Sequence, residues 1–594
     1  MAYPSQNSCV QRNAFYFGAP EASLFGVFHT DQSVPPRDCV AVICQPVGFE
    51  YIHGHRSVRH LADALARQGV PALRFDYHGT GDSTGSDLDA DRVGRWMKDI
   101  REAIDAARSI SGRTRVCLLG IRLGSALATM VSAEMGVEWL VLWFPVVSGR
   151  RYVREQKIVA STNSALTEQV DAGAPMEVAG FLLAQETQAS LATLDVLAAQ
   201  SKPSGGVLLI QRKELPSENS LRDHFSSQGV MVDSIDCPGY ADMMAEPVDT
   251  VVPQVAIDST VDWLVRHTQV MTTQSMNVDL PAKMAYEFTA TDGLSAPLMD
   301  QACRFGATNE LFGIYTRNVS SNKKLPAVVL LNSGVVHSVG ANRVNELLAR
   351  NLAVLGFPVF RFDLQGVGES VATQPELENK SYPDTAQRDI DLALDYLTKE
   401  FACKQYVVVG LCSGAYHAFM AAGDSLAHPV SEVVMINPPN LNWKEEGFLF
   451  GEFGQVVQYR ASVRSGDKWM KLLKGQVNIF NLIKVVYFYV ANPAKRWLAS
   501  IFEVLRLTSG GFVAHRLRSL YARNRHVTVF CSQEDPGWDI LLHGARVAVN
   551  WGLRRGKLTS EFVPGADHTF TKYSTRLDLV AKLRAHLLKQ YGGS

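Results

Sequence analysis

Two five-residue runs constrain this chain more than any other feature: Gly120-Ile121-Arg122-Leu123-Gly124 and Gly410-Leu411-Cys412-Ser413-Gly414. Each follows an apolar stretch and opens a helical one. In a turn of this spacing a strand reverses sharply into a helix, and the central side chain is pushed up above the sheet, where a nucleophile belongs. Cys412 can act as one; Arg122 cannot. The chain therefore reads as two similar folds in tandem, one with a working site and one retired.

The repeat extends well beyond these runs. Arg74-Phe75-Asp76 and Gly79-Thr80-Gly81-Asp82-Ser83 recur as Arg361-Phe362-Asp363 and Gly366-Val367-Gly368-Glu369-Ser370, a shift of 287 residues. The same shift sets Leu24-Phe25-Gly26-Val27 over Leu311-Phe312-Gly313-Ile314, Arg56 over Arg343 and Glu50 over His337. Self-similarity of this kind marks a duplication.

Within each half, apolar strands alternate with helices, the pattern of a mostly parallel sheet flanked by helices. Strands are expected at 41–44, 72–76, 116–120, 140–143 and 206–210, and again at 327–332, 359–363, 406–410, 433–436 and 527–531. Helices are expected at 59–68, 255–267, 343–355, 389–400 and 577–591. The expected fold class is α/β, with domains at 12–267 and 284–592 and a polar linker at 268–283. A helical insertion at about 438–525 is expected to form a lid, with a shorter one at 146–203 in the first half.

Bulk properties fit this reading. A chain of 594 residues is too long for one core and suits two domains of this size. Net charge of −1 gives no pull toward nucleic acid or a membrane surface. The nine cysteines form no C-x-x-C pair, which argues against a disulfide framework or zinc site and for a reducing, cytoplasmic setting. The first twelve residues are polar, so no signal peptide is expected. The most apolar stretch, 477–494, is broken by Lys484 and Pro493 and falls short of a spanning helix. No phosphate loop, dinucleotide fingerprint or metal-ligand spacing occurs, so no cofactor or metal is expected. Oligomeric state is not encoded in any pattern here.

A nucleophile needs a base, and the base needs an orienting acid. The second half supplies all three in the order this turn implies: Cys412, Asp535 after the strand at 527–531, and His568 before the last helix. Cys412 would pass its proton to His568, whose other ring nitrogen would donate to Asp535. Glu534 and Asp539 are rival acids, and Ser413 is a rival nucleophile that falls one place late. The helix that starts at Ser413 turns its positive end toward the sulfur. The backbone N–H of Ser413 is the expected first oxyanion donor, and that of Val335, after the first strand of this half, the second. His337 and Arg343 are candidate substrate contacts, though a polar loop role suits His337 better; His417 reads as structural.

The first half lacks two of these parts. Against Pro564-Gly565-Ala566-Asp567-His568 it sets Pro238-Gly239-Tyr240-Ala241-Asp242-Met243, so Met243 stands where the base should be. A guanidinium held in a pocket needs a counter-charge. Glu50 is the expected partner of Arg122, plugging the retired site; the alternative is that Arg122 reaches solvent.

At these motifs the chain resembles the α/β-hydrolase superfamily, twice over and along nearly its whole length. Gly410 to Ala415 and Asn332 to Arg343 resemble one group of bacterial hydrolases found with the exosortase system. Gly120 to Gly124 and Arg74 to Gly85 resemble its companion group, which also bears arginine in the turn. A cysteine nucleophile in the turn is also the dienelactone hydrolase pattern. The resemblance implies acyl-transfer chemistry on two tandem α/β-hydrolase domains, the first degenerate; it does not fix a substrate.

Cysteine narrows the chemistry further. Exchange of a thiolate with a thioester is nearly isoenergetic, whereas making a thioester from an oxygen ester or amide is uphill. Cys412 therefore favours an activated acyl donor, such as a small-molecule thioester borne by coenzyme A or a carrier protein, or a strained lactone. The insertion carries 14 Lys/Arg against 5 Asp/Glu over 440–525, with Trp469, Tyr487, Phe488, Tyr489 and Trp497 among them. That composition suits an anionic donor with an apolar chain; a solvated basic face over a packed apolar one fits it equally. Three readings stay open: hydrolase or thioesterase, acyltransferase to an alcohol or amine, and an inert scaffold in a biosynthetic complex.

Overall fold

Apolar runs without interruption make the central strands. The segment Cys39–Cys44 is buried at every position, as a parallel strand covered by helices on both faces must be. Arg115–Ile121, Trp139–Trp143 and Gly206–Gln211 are nearly as dry. The computed structural model of the chain describes residues 10–163, 174–212, 219–272, 280–423, 428–439, 441 and 511–592. These fall into two compact units. One comprises the residues up to Cys403 together with those from Thr569 onward; the other is Lys404–His568.

The larger unit holds the whole first-half sheet. Its eight strands run in the order Val10–Phe17, Leu24–Asp31, Ala72–Phe75, Cys39–Cys44, Arg115–Ile121, Trp139–Trp143, Gly206–Gln211 and Val232–Asp236. The first two are antiparallel to their neighbours and the rest are parallel. One face packs on Trp96, Ile100 and Ile104 of the helix Arg92–Ser111 and on Leu123, Leu127 and Val131 of the helix Leu123–Met135. The other packs on Leu61 and Leu65 of the helix Phe49–Arg67 and on Ile257 and Leu264 of the helix Gln254–His267.

The larger unit also holds five strands of the second repeat, in the order Lys283–Thr289, Ser295–Phe305, Leu311–Asn318, Val359–Asp363, Ala327–Leu330. The smaller unit carries four parallel strands: Tyr406–Leu411, Val430–Ile436, His526–Ser532 and Leu558–Val563. The chain thus carries two tandem regions of mostly parallel sheet flanked by helices. Every expected strand is present to within a few residues. The helix expected at 59–68 begins ten residues earlier, at Phe49. The helix expected from Arg343 begins at Val344, because Arg343 itself adopts φ +60°. The antiparallel additions at the start of each half and the helix Arg92–Ser111 lie beyond the sequence reading.

The insertion expected at 438–525 lies mostly outside the described residues, with its five named aromatic residues; its last part is the helix Phe512–Ala522. The first-half insertion forms the helix Gly149–Asn163, the hairpin Met176–Val178 with Phe181–Leu183, and the helix Gln185–Ala192.

Inside the larger unit the two repeats meet through exchanged charges. Arg74 of the first half donates to both oxygens of Glu369 of the second, at 2.8 and 2.7 Å. The residues that repeat them, Arg361 and Asp82, pair at 2.6 Å. The equivalent rings Phe25 and Phe312 face each other at 6.2 Å. All four charged side chains are buried.

Candidate active site

Both turns take the same strained backbone. Arg122 has φ 54° and ψ −123°; Cys412 has φ 56° and ψ −121°, and each is the residue before a helix. Positive φ is costly for a residue with a Cβ and persists only where surrounding packing enforces it. Glycine leaves the room: a Cβ on Gly410 would fall 2.1 Å from the Gly414 carbonyl carbon, and one on Gly120 2.4 Å from Ser125 Cα. The strand and helix therefore close to van der Waals limits, and the central side chain is lifted away from both.

In the smaller unit, His568 Nδ1 lies 2.5 Å from Asp535 Oδ2. The other Asp535 oxygen accepts the Gly537 N–H at 2.8 Å, which fixes the carboxylate. Of the three acids weighed from sequence, Asp535 is the one on the ring; Glu534 and Asp539 are exposed. The opposite ring nitrogen, Nε2, is covered from solvent and has no nitrogen or oxygen partner among the described residues; it faces the Cys412 thiol. Burial favours the neutral ring, but the Asp535 hydrogen bond and the hydrogen bond and charge of Cys412 outweigh it, and His568 is pushed up to about 10. The ring is 36% exposed along its outer edge, so water screens part of this attraction.

Asn437 is a residue the sequence reading missed. It follows the strand Val430–Ile436 with φ 44°. Its Nδ2 donates to Ser532 Oγ and to the His568 carbonyl, both at 2.8 Å, and its Oδ1 accepts the Ser532 N–H at 2.7 Å. It thereby ties the acid-bearing strand to the histidine loop. The first half has Phe144 at this place, also before proline and also at positive φ, 49°. A polar residue where the repeat has phenylalanine was the available signal.

Ser413 is buried at the start of the helix Ser413–Ala421, and His417 is buried one turn further on. Val335, His337 and Arg343 belong to the larger unit. His337 is 6% exposed and stacks on His55 at 4.1 Å; Arg343 is also buried and donates to the Gly79 carbonyl at 2.7 Å. Both candidate substrate contacts are thus engaged by the first half.

The first-half turn is filled by charge. Arg122 Nε donates to Glu50 Oε1 at 2.7 Å, and Nη2 donates to Glu155 Oε1 at 2.7 Å. Arg122 and Glu50 are 1% and 2% exposed, while Glu155 reaches solvent. The guanidinium also lies over the Tyr240 ring at 5.2 Å. Burial pulls the Arg122 charge down, but Glu50, Tyr240 and Glu155 hold it well above its ordinary value. Met243 is fully buried in the helix Tyr240–Met243.

Two family models match. The one described as "Serine aminopeptidase, S33" matches residues 51–192, and the one described as "Alpha/beta hydrolase family" matches residues 328–582. No curated protein matches the chain. Among solved structures, Est1E from Butyrivibrio proteoclasticus with ferulic acid bound is 17% identical, with 43% of this chain and 99% of that one covered and a TM-score of 0.33. An alpha-beta serine hydrolase homologue from Coxiella burnetii is 17% identical, with coverage of 45% and 99% and a TM-score of 0.27. An α/β serine hydrolase without lid from Xanthomonas campestris is 15% identical, with coverage of 43% and 93% and a TM-score of 0.28. The two family matches and the paired sheets define the class: two α/β-hydrolase regions in tandem, in an enzyme of hydrolase type. Among the described residues no helix is long and apolar enough to cross a membrane.

Proposed function

We infer that the second half is a cysteine-dependent acyl-transfer hydrolase working through Cys412, His568 and Asp535. The observation that carries this is the pairing of His568 with Asp535 on one ring nitrogen while the other, dry nitrogen faces a thiol on a strained turn. In this reading His568 Nε2 takes the Cys412 proton, and Asp535 holds the ring in the required tautomer and steadies the imidazolium. The thiolate attacks the acyl carbonyl, and the Ser413 N–H receives the oxyanion. The tetrahedral intermediate collapses as His568 returns its proton to the leaving thiolate or alkoxide. Water, deprotonated by His568, then cleaves the Cys412 acyl thioester and releases the acid.

The substrate class is an activated acyl compound, a thioester of coenzyme A or a carrier protein or a reactive ester, because a thiolate exchanges with these without climbing in energy. The first half supplies neither nucleophile nor base, since Arg122 and Met243 stand in their places and Glu50 neutralises the cation.

The test is intact-mass spectrometry after exposure to a panel of acyl thioesters and p-nitrophenyl esters. The expected result is an adduct of acyl mass on Cys412 that decays in water and is absent in Cys412→Ala. Full turnover by the alanine variant would falsify the mechanism. Decay accelerated by an added alcohol or amine, with the acyl group found on it, identifies transfer rather than hydrolysis.

A further inference from the structure

The first half has lost its own chemistry, yet it grips two segments of the second half. One is the loop from Asn332 to Arg343. Tyr51 Oη donates to Asp76 Oδ1 at 2.9 Å and meets His337 Nε2 at 3.2 Å. With its proton committed to Asp76, the Tyr51 oxygen accepts from the His337 ring. His55 stacks flat on that ring, and Tyr51 and Ile52 pack on Val336 and Val339. Arg343 closes the loop on the Gly79 carbonyl. Four positions of the first half thus fix one loop of the second.

The other segment begins one residue beyond His568. The first-half hairpin Met176–Val178 with Phe181–Leu183 turns through Gly180 at φ +88°. A Cβ there would fall 2.2 Å from Asn342 Oδ1, so Asn342 occupies the space glycine leaves. Asn342 Nδ2 in turn donates to the Thr569 carbonyl at 3.2 Å. On the same hairpin, Glu177 Oε1 accepts the Tyr573 N–H at 2.5 Å. Tyr573 is the first residue of the helix Tyr573–Tyr591, and its N-cap, Lys572, makes no side-chain cap. A carboxylate from 396 residues away in sequence therefore caps the helix that follows His568, where the helix dipole also favours it. Arg576, 3.8 Å from Glu177, donates back to the carbonyls of Phe570 and Thr571.

We propose that the degenerate half anchors the chain that leaves His568, with Glu177 as the positioning residue for the second-half reaction. Glu177 sets the start of that chain. This rests on the Cys412–His568–Asp535 reading. Small displacements of a catalytic group are costly in rate, which is why distant supports of this kind are retained.

The experiment measures alkylation of Cys412 by iodoacetamide across pH in the full chain, read by peptide mass, beside thermal melts. Glu177→Ala is expected to slow alkylation at neutral pH roughly tenfold or more and to move its pH profile toward alkaline values. Glu177→Gln, which keeps an oxygen for the Tyr573 N–H, is expected to restore most of the rate. His568→Ala sets the full effect. If it slows alkylation while Glu177→Ala keeps the wild-type rate and profile, the positioning role is overturned, even where its melting temperature falls. If His568→Ala changes nothing, the triad reading fails and this proposal with it.

Discussion

His568 carries a strong electrostatic demand in the candidate site of the second half. Its ordinary value is near 6.5 and its folded value is pushed up to about 10 by Asp535 and Cys412 against the pull of burial. A base whose folded value is raised binds its proton more tightly in the native state. Its contribution to stability is therefore complete below about pH 6.5 and is lost as pH climbs through about 10. Urea denaturation of wild type and His568→Gln is expected to show a stability difference that shrinks steadily over that interval; a difference independent of pH would mean that the ring is not held as an imidazolium. Sequence order alone proposed Cys412, Asp535 and His568 as a set, because each follows a strand in the order expected of this turn, and the structure pairs His568 with Asp535. Asn437 escaped it. Ahead of Pro438 and Pro439 an asparagine looks like a plain turn residue, and its value arises only once Ser532 and His568, 95 and 131 residues away, arrive beside it.

The strand–turn–helix units are held by close approach rather than by apolar bulk. At the first turn, added methyls on Gly120 and Gly124 would fall 2.4 Å from Ser125 Cα and 2.2 Å from the Cys44 carbonyl oxygen. Both obstacles are backbone, which cannot step aside as a side-chain tip can. Gly120→Ala is accordingly expected to destabilise the protein by about 1–3 kcal/mol or more, with the loss seen as a lower urea midpoint. Wild-type stability in this variant would show that the turn relaxes freely. The parallel strands were legible because both faces are dry and the runs are apolar throughout. Ser295–Phe305 was not, for a physical reason. It buries Asp300, which accepts from Thr316 at 2.6 Å and pairs with Arg350 at 3.5 Å, so a polar residue sits where strand patterning expects an apolar one. The first repeat solves the same position with reversed polarity, Arg12 against Asp63 at 2.6 Å.

Cohesion of the two halves is expected not to depend on the segment of chain between them. Arg74 with Glu369 and Arg361 with Asp82 are buried pairs, which salt screens weakly. With a protease site introduced at 273–279 and cut, the two pieces are expected to co-elute at the size of the intact chain. Glu369→Lys, which faces Arg74 with a like charge, is expected to drive them apart; size-exclusion chromatography with light scattering reads both. Pieces that separate without the substitution would show that the covalent link is what keeps them together.

The exchanged pairs carry a historical consequence. Each copy offers its arginine to the other's carboxylate, so both present one and the same patch, related by half a revolution. Identical molecules associate about a two-fold axis in this way. Fusing such a pair makes the association independent of concentration. It also releases one member from having to catalyse anything, while the shared patch stays under selection in both.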